Sequence, residues 1–262
     1  MKMILKSLTS LFLFVGLASG CQDEVGKDDS ILDQANDIIT AYSSQPNFAC
    51  FLVDDAITYP KPWTEEAANT FTITEDKLNN TTTCGLIQTF FNQPWNMLGP
   101  WCSTCSDLTI NGIQYFNDRI KQDVVINELF SQDDVLEKLI RRYVDIIQDI
   151  GSMETNPGYL HSFELLLASE SMNEILTNTV SDELLILALK MMEVKKNTIE
   201  FNNENSFAAT RHILANLLLW KQFDPFFTAY VKNGSLETGL SGYKICYNDK
   251  AVENYAKMYL TN

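Results

Sequence analysis

Val135, Leu136, Leu139, Ile140, Tyr143, Ile146, Ile147 and Ile150 recur at intervals of three or four residues and stop before Gly151. At 3.6 residues per turn that spacing puts every one of them on a single helical stripe. Gly151 supplies the terminator, because glycine closes helices at no steric cost. So broad an apolar stripe is stable only when buried against others like it. The chain offers several. Ile31, Leu32, Ala35, Ile38, Ile39 and Tyr42 share one face behind Ser30, which reads as a cap. Ile113, Phe116, Ile120 and Val124 begin a second pattern, and Ser131 with Asp134 has capping-box spacing ahead of the long stripe. Further helices are expected near Ser162 to Ala168, from Ser171-x-x-Glu174, behind Ser181 (Leu184, Leu185, Ala188, Met191, Met192), from Phe207 to Trp220, after Asp224-Pro225 and from Ala251 to Leu260, with a glycine-containing loop over 233–246. Met191 and Met192 read as core filler. The expected fold class is mainly α.

Residues 43–112 differ. They hold Pro46, Pro60, Pro62, Pro94 and Pro100, together with Cys50, Cys84, Cys102 and Cys105. Thr70 to Thr74 reads as a short strand or extended piece at most, and Leu86 to Phe91 as a helical turn or two. This stretch is expected to be an irregular, disulfide-linked cap. The organisation that follows is a signal peptide over 1–20, a lipidated cysteine and acidic tether over 21–29, a first helix plus cap over 30–112, and a helical domain over 113–262. The last two form one compact unit, since some 240 residues with 45% apolar composition can bury one sizeable core.

Leu129-Phe130, a polar turn, then Val135 and Leu139 is echoed by Leu166-Leu167, a turn, Met172 and Leu176, and again by Leu218-Leu219, a turn, Phe223 and Phe227. In outline this resembles the stacked helical pairs of HEAT and armadillo proteins. The spacing between copies is irregular, and an orthogonal bundle has the same periodicity, so a solenoid-like array and a closed bundle both stand.

At the other end of the chain, Lys2 and Lys6 precede a mostly apolar stretch from Ile4 to Ala18, and Leu17-Ala18-Ser19-Gly20-Cys21 closes it. The stretch is shorter than the roughly 20 residues of a membrane span, and no later uncharged run is long enough to be one. The pentapeptide resembles the lipobox of bacterial lipoproteins, with leucine one place further from the cysteine than in the best-known form. The resemblance implies that Cys21 becomes the acylated first residue of the mature protein. Gln22-Asp23-Glu24 resembles the acidic signal that places some lipoproteins on the surface of Gram-negative cells, and reads equally as a solvated linker. The partner implied is the lipid bilayer, reached through the anchor. A secretory signal cut after Ala18-Ser19-Gly20 is the alternative.

The chain has 19 basic and 34 acidic residues, and the leader would carry away two of the lysines. So acidic a chain repels phosphate backbones, which excludes nucleic acid as a partner. Lys138, Arg141 and Arg142 in one helix, and Lys190, Lys195 and Lys196 in another, read as solvated faces. Outside the cytoplasm cysteines pair. With Cys21 lipidated, Cys50, Cys84, Cys102, Cys105 and Cys246 remain as disulfide candidates, two bridges and one thiol being the simplest account. Trp101-Cys102-Ser103-Thr104-Cys105 resembles the Trp-Cys-x-x-Cys of thioredoxin-like oxidoreductases, which would make Cys102 the attacking thiolate. Phe91 to Trp95 cannot supply that fold's central strand, and Ser106 to Gly112 cannot supply its helix. A zinc site from Cys50, Cys84, Cys102 and Cys105 has only one closely spaced pair. His161 and His212 are the only histidines, and both read as structural. No metalloprotease, serine-hydrolase, Walker or Rossmann pattern occurs, and no carboxylate pair stands out, Asp54-Asp55 and Asp133-Asp134 reading as turns. The reading reached is a membrane-anchored envelope lipoprotein acting as a non-catalytic binding or scaffolding module, with no cofactor and no metal, its further partner a protein or peptide. The alternative is an extracytoplasmic enzyme, either a thiol oxidoreductase using Cys102 and Cys105 or a carboxylate-based hydrolase.

Overall fold

The computed structural model describes residues 23–44, 53–61, 71–94, 118–150, 157–202, 204–230 and 249–262. Regular structure among them is helical. In chain order the helices are α1 Asp23–Ser43, α2 Glu75–Asn79, α3 Thr83–Asn92, α4 Val124–Ser131, α5 Val135–Asp149, α6 Pro157–Leu167, α7 Glu170–Ile175, α8 Asn178–Asn197, α9 Glu204–Trp220, α10 Asp224–Tyr230 and α11 Asp249–Thr261, with a 3-10 turn at Ile199–Phe201.

Most helices fall where the periodicity places them, while several caps move; the pattern begun at Ile113 and Phe116 lies in part outside the described residues and is broken at Asp123, which caps α4, and the loop over 233–246 lies outside them. Helix α1 starts at Asp23, seven residues ahead of Ser30, so residues 23–29 of the expected acidic tether are helical. Apolar spacing marks only the buried part of a helix. The acidic residues ahead of it favour helix too, since negative charge stabilises a helix N-terminus. The capping box at Ser131 does not form. Ser131 ends α4 and donates to the Glu128 carbonyl at 2.7 Å, while Asp134 sits at the N-cap of α5 and accepts a hydrogen bond from the Thr83 hydroxyl. Thr177, not Ser181, caps α8, accepting from the Val180 amide at 3.3 Å. Ser181 lies one turn further in and donates to the Asn178 carbonyl at 2.7 Å. Likewise Ser169, not Ser171, caps α7. For α7 and α8 the true cap lies two and four residues earlier, because the serine or threonine just before the turn reaches amides that an interior serine cannot. Thr70 to Thr74 makes no strand in its described part, 71–74, where Thr74 caps α2.

Helices α8 and α9 form the centre. They run antiparallel, since Lys195 near the end of α8 reaches Ser206 and Thr210 near the start of α9, while Lys221 just past α9 pairs with Asp182 near the start of α8 at 2.7 Å. Six consecutive residues of α8, Leu184 to Leu189, are buried, so this helix is covered nearly all round. Helix α1 packs on α5, α8 and α11; α9 packs on α6, α8, α10 and α11; α3 packs on α4 and α5. The first helix thus touches the last. The three echoed sequence patterns correspond to the α4–α5, α6–α7 and α9–α10 turns.

Two local features tie these junctions down. Asp55 accepts a hydrogen bond from the Thr82 amide at 2.6 Å, and a Cβ on Gly85 would lie 2.5 Å from the same carboxylate. Only glycine lets that turn approach the N-terminus of α3. At the end of α9, Gln222 has φ 53, with Phe223 N–H donating to the Leu218 carbonyl and Gln222 N–H to that of Leu219, both at 3.0 Å. This is a Schellman closure with glutamine in the left-handed position where glycine is unstrained. Gln222→Gly should stabilise the fold by about 0.5–1 kcal/mol, read as a raised urea midpoint with unchanged slope.

Candidate functional site

The densest polar chemistry among the described residues lies inside the bundle, where α5, α6, α8 and α9 meet. Leu160, Glu164 and Leu167 share one face of α6, and Leu184, Ala188, Met191 and Lys195 share one face of α8. All are buried. The chain therefore sets a carboxylate and an ammonium within two apolar stripes. Lys195 Nζ donates to Glu164 Oε2 at 2.6 Å, to the Ser206 carbonyl at 2.7 Å and to Thr210 Oγ1 at 2.8 Å. Thr210 Oγ1 donates in turn to Glu164 Oε1 at 2.7 Å, and the Tyr143 hydroxyl donates to the same oxygen at 3.0 Å. An ammonium has three protons, and all three are used. Lys195 is 1% exposed and Glu164 0%. Burial pushes the Lys195 pKa down, the charge and hydrogen bond of Glu164 oppose this, and nearby Arg211 pushes the same way as burial. Burial, then Glu164, holds the Tyr143 hydroxyl well above its ordinary range. The reading of Lys195 as part of a solvated face is thus overturned. Its spacing from Leu184, Ala188 and Met191 continues the apolar stripe, and that was the available signal.

Around this pair lies a second layer. Arg211 stacks over the Phe207 ring at 5.2 Å, with its Nε 3.9 Å from Glu253 of α11. Glu253 also binds Lys196 at 2.7 Å. His161 and His212 are both buried, at 5% and 6% exposure. Burial lowers His161 to about 3, helped by the charges of Lys195 and His212, and burial takes His212 to about 4. His161 Nε2 has no hydrogen-bond partner among the described residues.

Of the other five basic residues expected on solvated faces, Arg141 and Arg142 also turn inward. Arg141 pairs with Asp145 at 3.0 Å, with side chains 11% and 4% exposed, and Arg142 lies over the Phe91 ring at 5.3 Å. Burial raises Asp145 to about 6 against the pull of both arginines. The stability tied to that proton is fully present below the ordinary carboxylate range and is lost as pH rises through about 6.

Of the cysteines singled out from sequence, Cys84 alone is among the described residues. It lies on α3 and is disulfide-bonded. A sulfur so bonded is not a thiolate ligand, which removes Cys84 from the four-cysteine zinc set. Cys21, Cys50, Cys102, Cys105 and Cys246 lie outside the described residues. Among the described residues no group of three or more histidine, cysteine or carboxylate side chains is placed to hold a metal, and no helix is long and apolar enough to cross a membrane. Asn216, the polar residue in the apolar run of α9, donates to the Ala168 carbonyl just past α6. It closes the end of α6 against α9.

The class these features define is a mainly α protein with a buried ion-pair network where α5, α6, α8 and α9 meet. Compared with known proteins, the chain matches no family, and no curated protein or solved structure is similar to it.

Proposed function

We propose that this chain is an acylated lipoprotein of the cell envelope whose helical body serves as a binding or scaffolding module held at the membrane. The observation that carries the reading is Leu17-Ala18-Ser19-Gly20-Cys21 behind a short basic and apolar leader. Two features of the body fit it. Helix α1 starts at Asp23, two residues past Cys21, so an anchor there would hold the bundle close to the bilayer. Cys84 is disulfide-bonded, which fits an oxidising compartment. The groups with the most distinctive chemistry, Lys195 and Glu164, are saturated and closed to solvent, so they support the body and leave recognition to its surface.

The test is the fate of the full chain in a host that processes lipoproteins. Wild type should take up labelled palmitate, carry a diacylglycerol adduct on Cys21, and sediment with membranes. Cys21→Ser should shift the soluble-to-membrane ratio by more than about 100-fold, since one acyl chain alone contributes a partition constant of about 10⁴ M⁻¹ and lipoproteins carry two or three. A wild-type protein that stays unlabelled and soluble would overturn the reading.

A further inference from the structure

Helix α6 carries the two groups of the polar network that are hardest to keep buried. Glu164 is satisfied by donors from three other helices, Tyr143 of α5, Lys195 of α8 and Thr210 of α9. Three residues earlier, His161 is buried with no acceptor at Nε2. A proton arriving there finds no carboxylate to receive it. The one buried carboxylate on its own helix already accepts three hydrogen bonds. The charge that bears on His161 is cationic, Lys195 from α8, and protonation of His212 on α9 would add a second, with Arg211 of α9 beside Lys195. Glu253 of α11 is engaged with Lys196 and faces Arg211. From α5, Tyr143 donates to Glu164 and Arg142 lies over the Phe91 ring of α3, which is 5.2 Å from Phe163. Close backbone packing of α6, among the described residues, is on α9, whereas α8, α9, α1 and α11 also pack on one another. Release of α6 would break its packing on α9 and the Glu164 hydrogen bonds from Tyr143, Lys195 and Thr210, while leaving the mutual packing of α8, α9, α1 and α11 in place.

We propose that α6 is an acid-released latch: protonation of His161 on α6 and His212 on α9 frees α6 from α8 and α9 while the remaining bundle stays folded. The direction follows from the neutral state that burial imposes. In the closed state the two imidazoles are held down to about 3 and about 4. Once released they titrate near the ordinary value of about 6.5. The contribution of the neutral pair to closure is thus complete above about pH 6.5 and is lost as pH falls toward the closed-state values. Each histidine favours the open form about tenfold per pH unit in that window, so two together approach about 100-fold.

Hydrogen exchange on the full chain, corrected for intrinsic rates at pH 7.5, 6, 5.2 and 4.5, tests this. Amides of α6 should lose protection by up to about 100-fold per pH unit below pH 6, reversibly, while the central amides of α8 keep theirs. In His161→Gln/His212→Gln the α6 slope should vanish, and if the double variant does not fold, each single variant should show a slope near tenfold. The proposal falls if wild-type α6 stays equally protected across this range, if α6 and α8 open together in one global step, or if the variants keep the wild-type slope.

Discussion

Lys195→Met should cost about 3–5 kcal/mol of folding stability, a third or more of what a typical domain possesses. Methionine fills most of the same space, so the loss is electrostatic. The Glu164 carboxylate would remain 0% exposed, keeping the hydrogen bonds from Tyr143 and Thr210 and losing its only ammonium. The Ser206 carbonyl would lose the lysine that donates to it at 2.7 Å. Removing the carboxylate as well, in Glu164→Leu/Lys195→Met, should recover part of the loss and not all of it, because the Tyr143 and Thr210 hydroxyls then lack their acceptor, at roughly 1–3 kcal/mol each. Urea unfolding of the two single variants and the double closes the cycle. A single-variant cost under about 1 kcal/mol would mean that the ammonium reaches water.

Phe163→Ala should cost about 3–5 kcal/mol as well, through a cavity. Phe163 is 0% exposed and joins two halves of the core, with its ring 5.2 Å from Phe91 of α3 and 6.3 Å from Tyr143 of α5. Each aromatic pair adds about 0.5–1.5 kcal/mol beyond area burial. Phe163→Leu keeps most of the volume and should cost less than half as much, which separates the cavity from a general dislike of substitution at this site. Thermal and urea melts of both variants decide the matter. Equal losses for alanine and leucine would contradict a packing origin. Because Phe163 adjoins Glu164 and touches Tyr143, its effect and that of Lys195→Met should not add, the sum of the singles exceeding the loss in the double.

The two substitutions probe different kinds of legibility. Phe163 lies in a segment whose apolar spacing announces a helix, and its burial follows from the pattern. Lys195 and Glu164 follow the same spacing, yet residue type alone makes a lysine in a helix read as solvated. The stripe Leu184, Ala188, Met191, Lys195 carried the information, but a cation is buried only when a partner waits for it. That partner lies 31 positions away in sequence, on another helix. Arg141 misleads in the same way: Asp145 one turn on is visible in the sequence, whereas the burial of the pair is not. Cap positions shifted for a smaller reason. Serines and threonines abound near the helix starts, and only the backbone conformation decides which hydroxyl faces a free amide.

From its residue order alone the chain determined that it would fold into amphipathic helices and where their apolar faces lie, because these depend on spacing along a few turns. Which faces meet, that α1 closes on α11, and that Lys195, Glu164, Tyr143 and Thr210 share their protons were decided only in three dimensions. A stripe specifies that it must be covered but not by what, and a buried charge is tolerable only where the folded chain has already assembled its counter-charge.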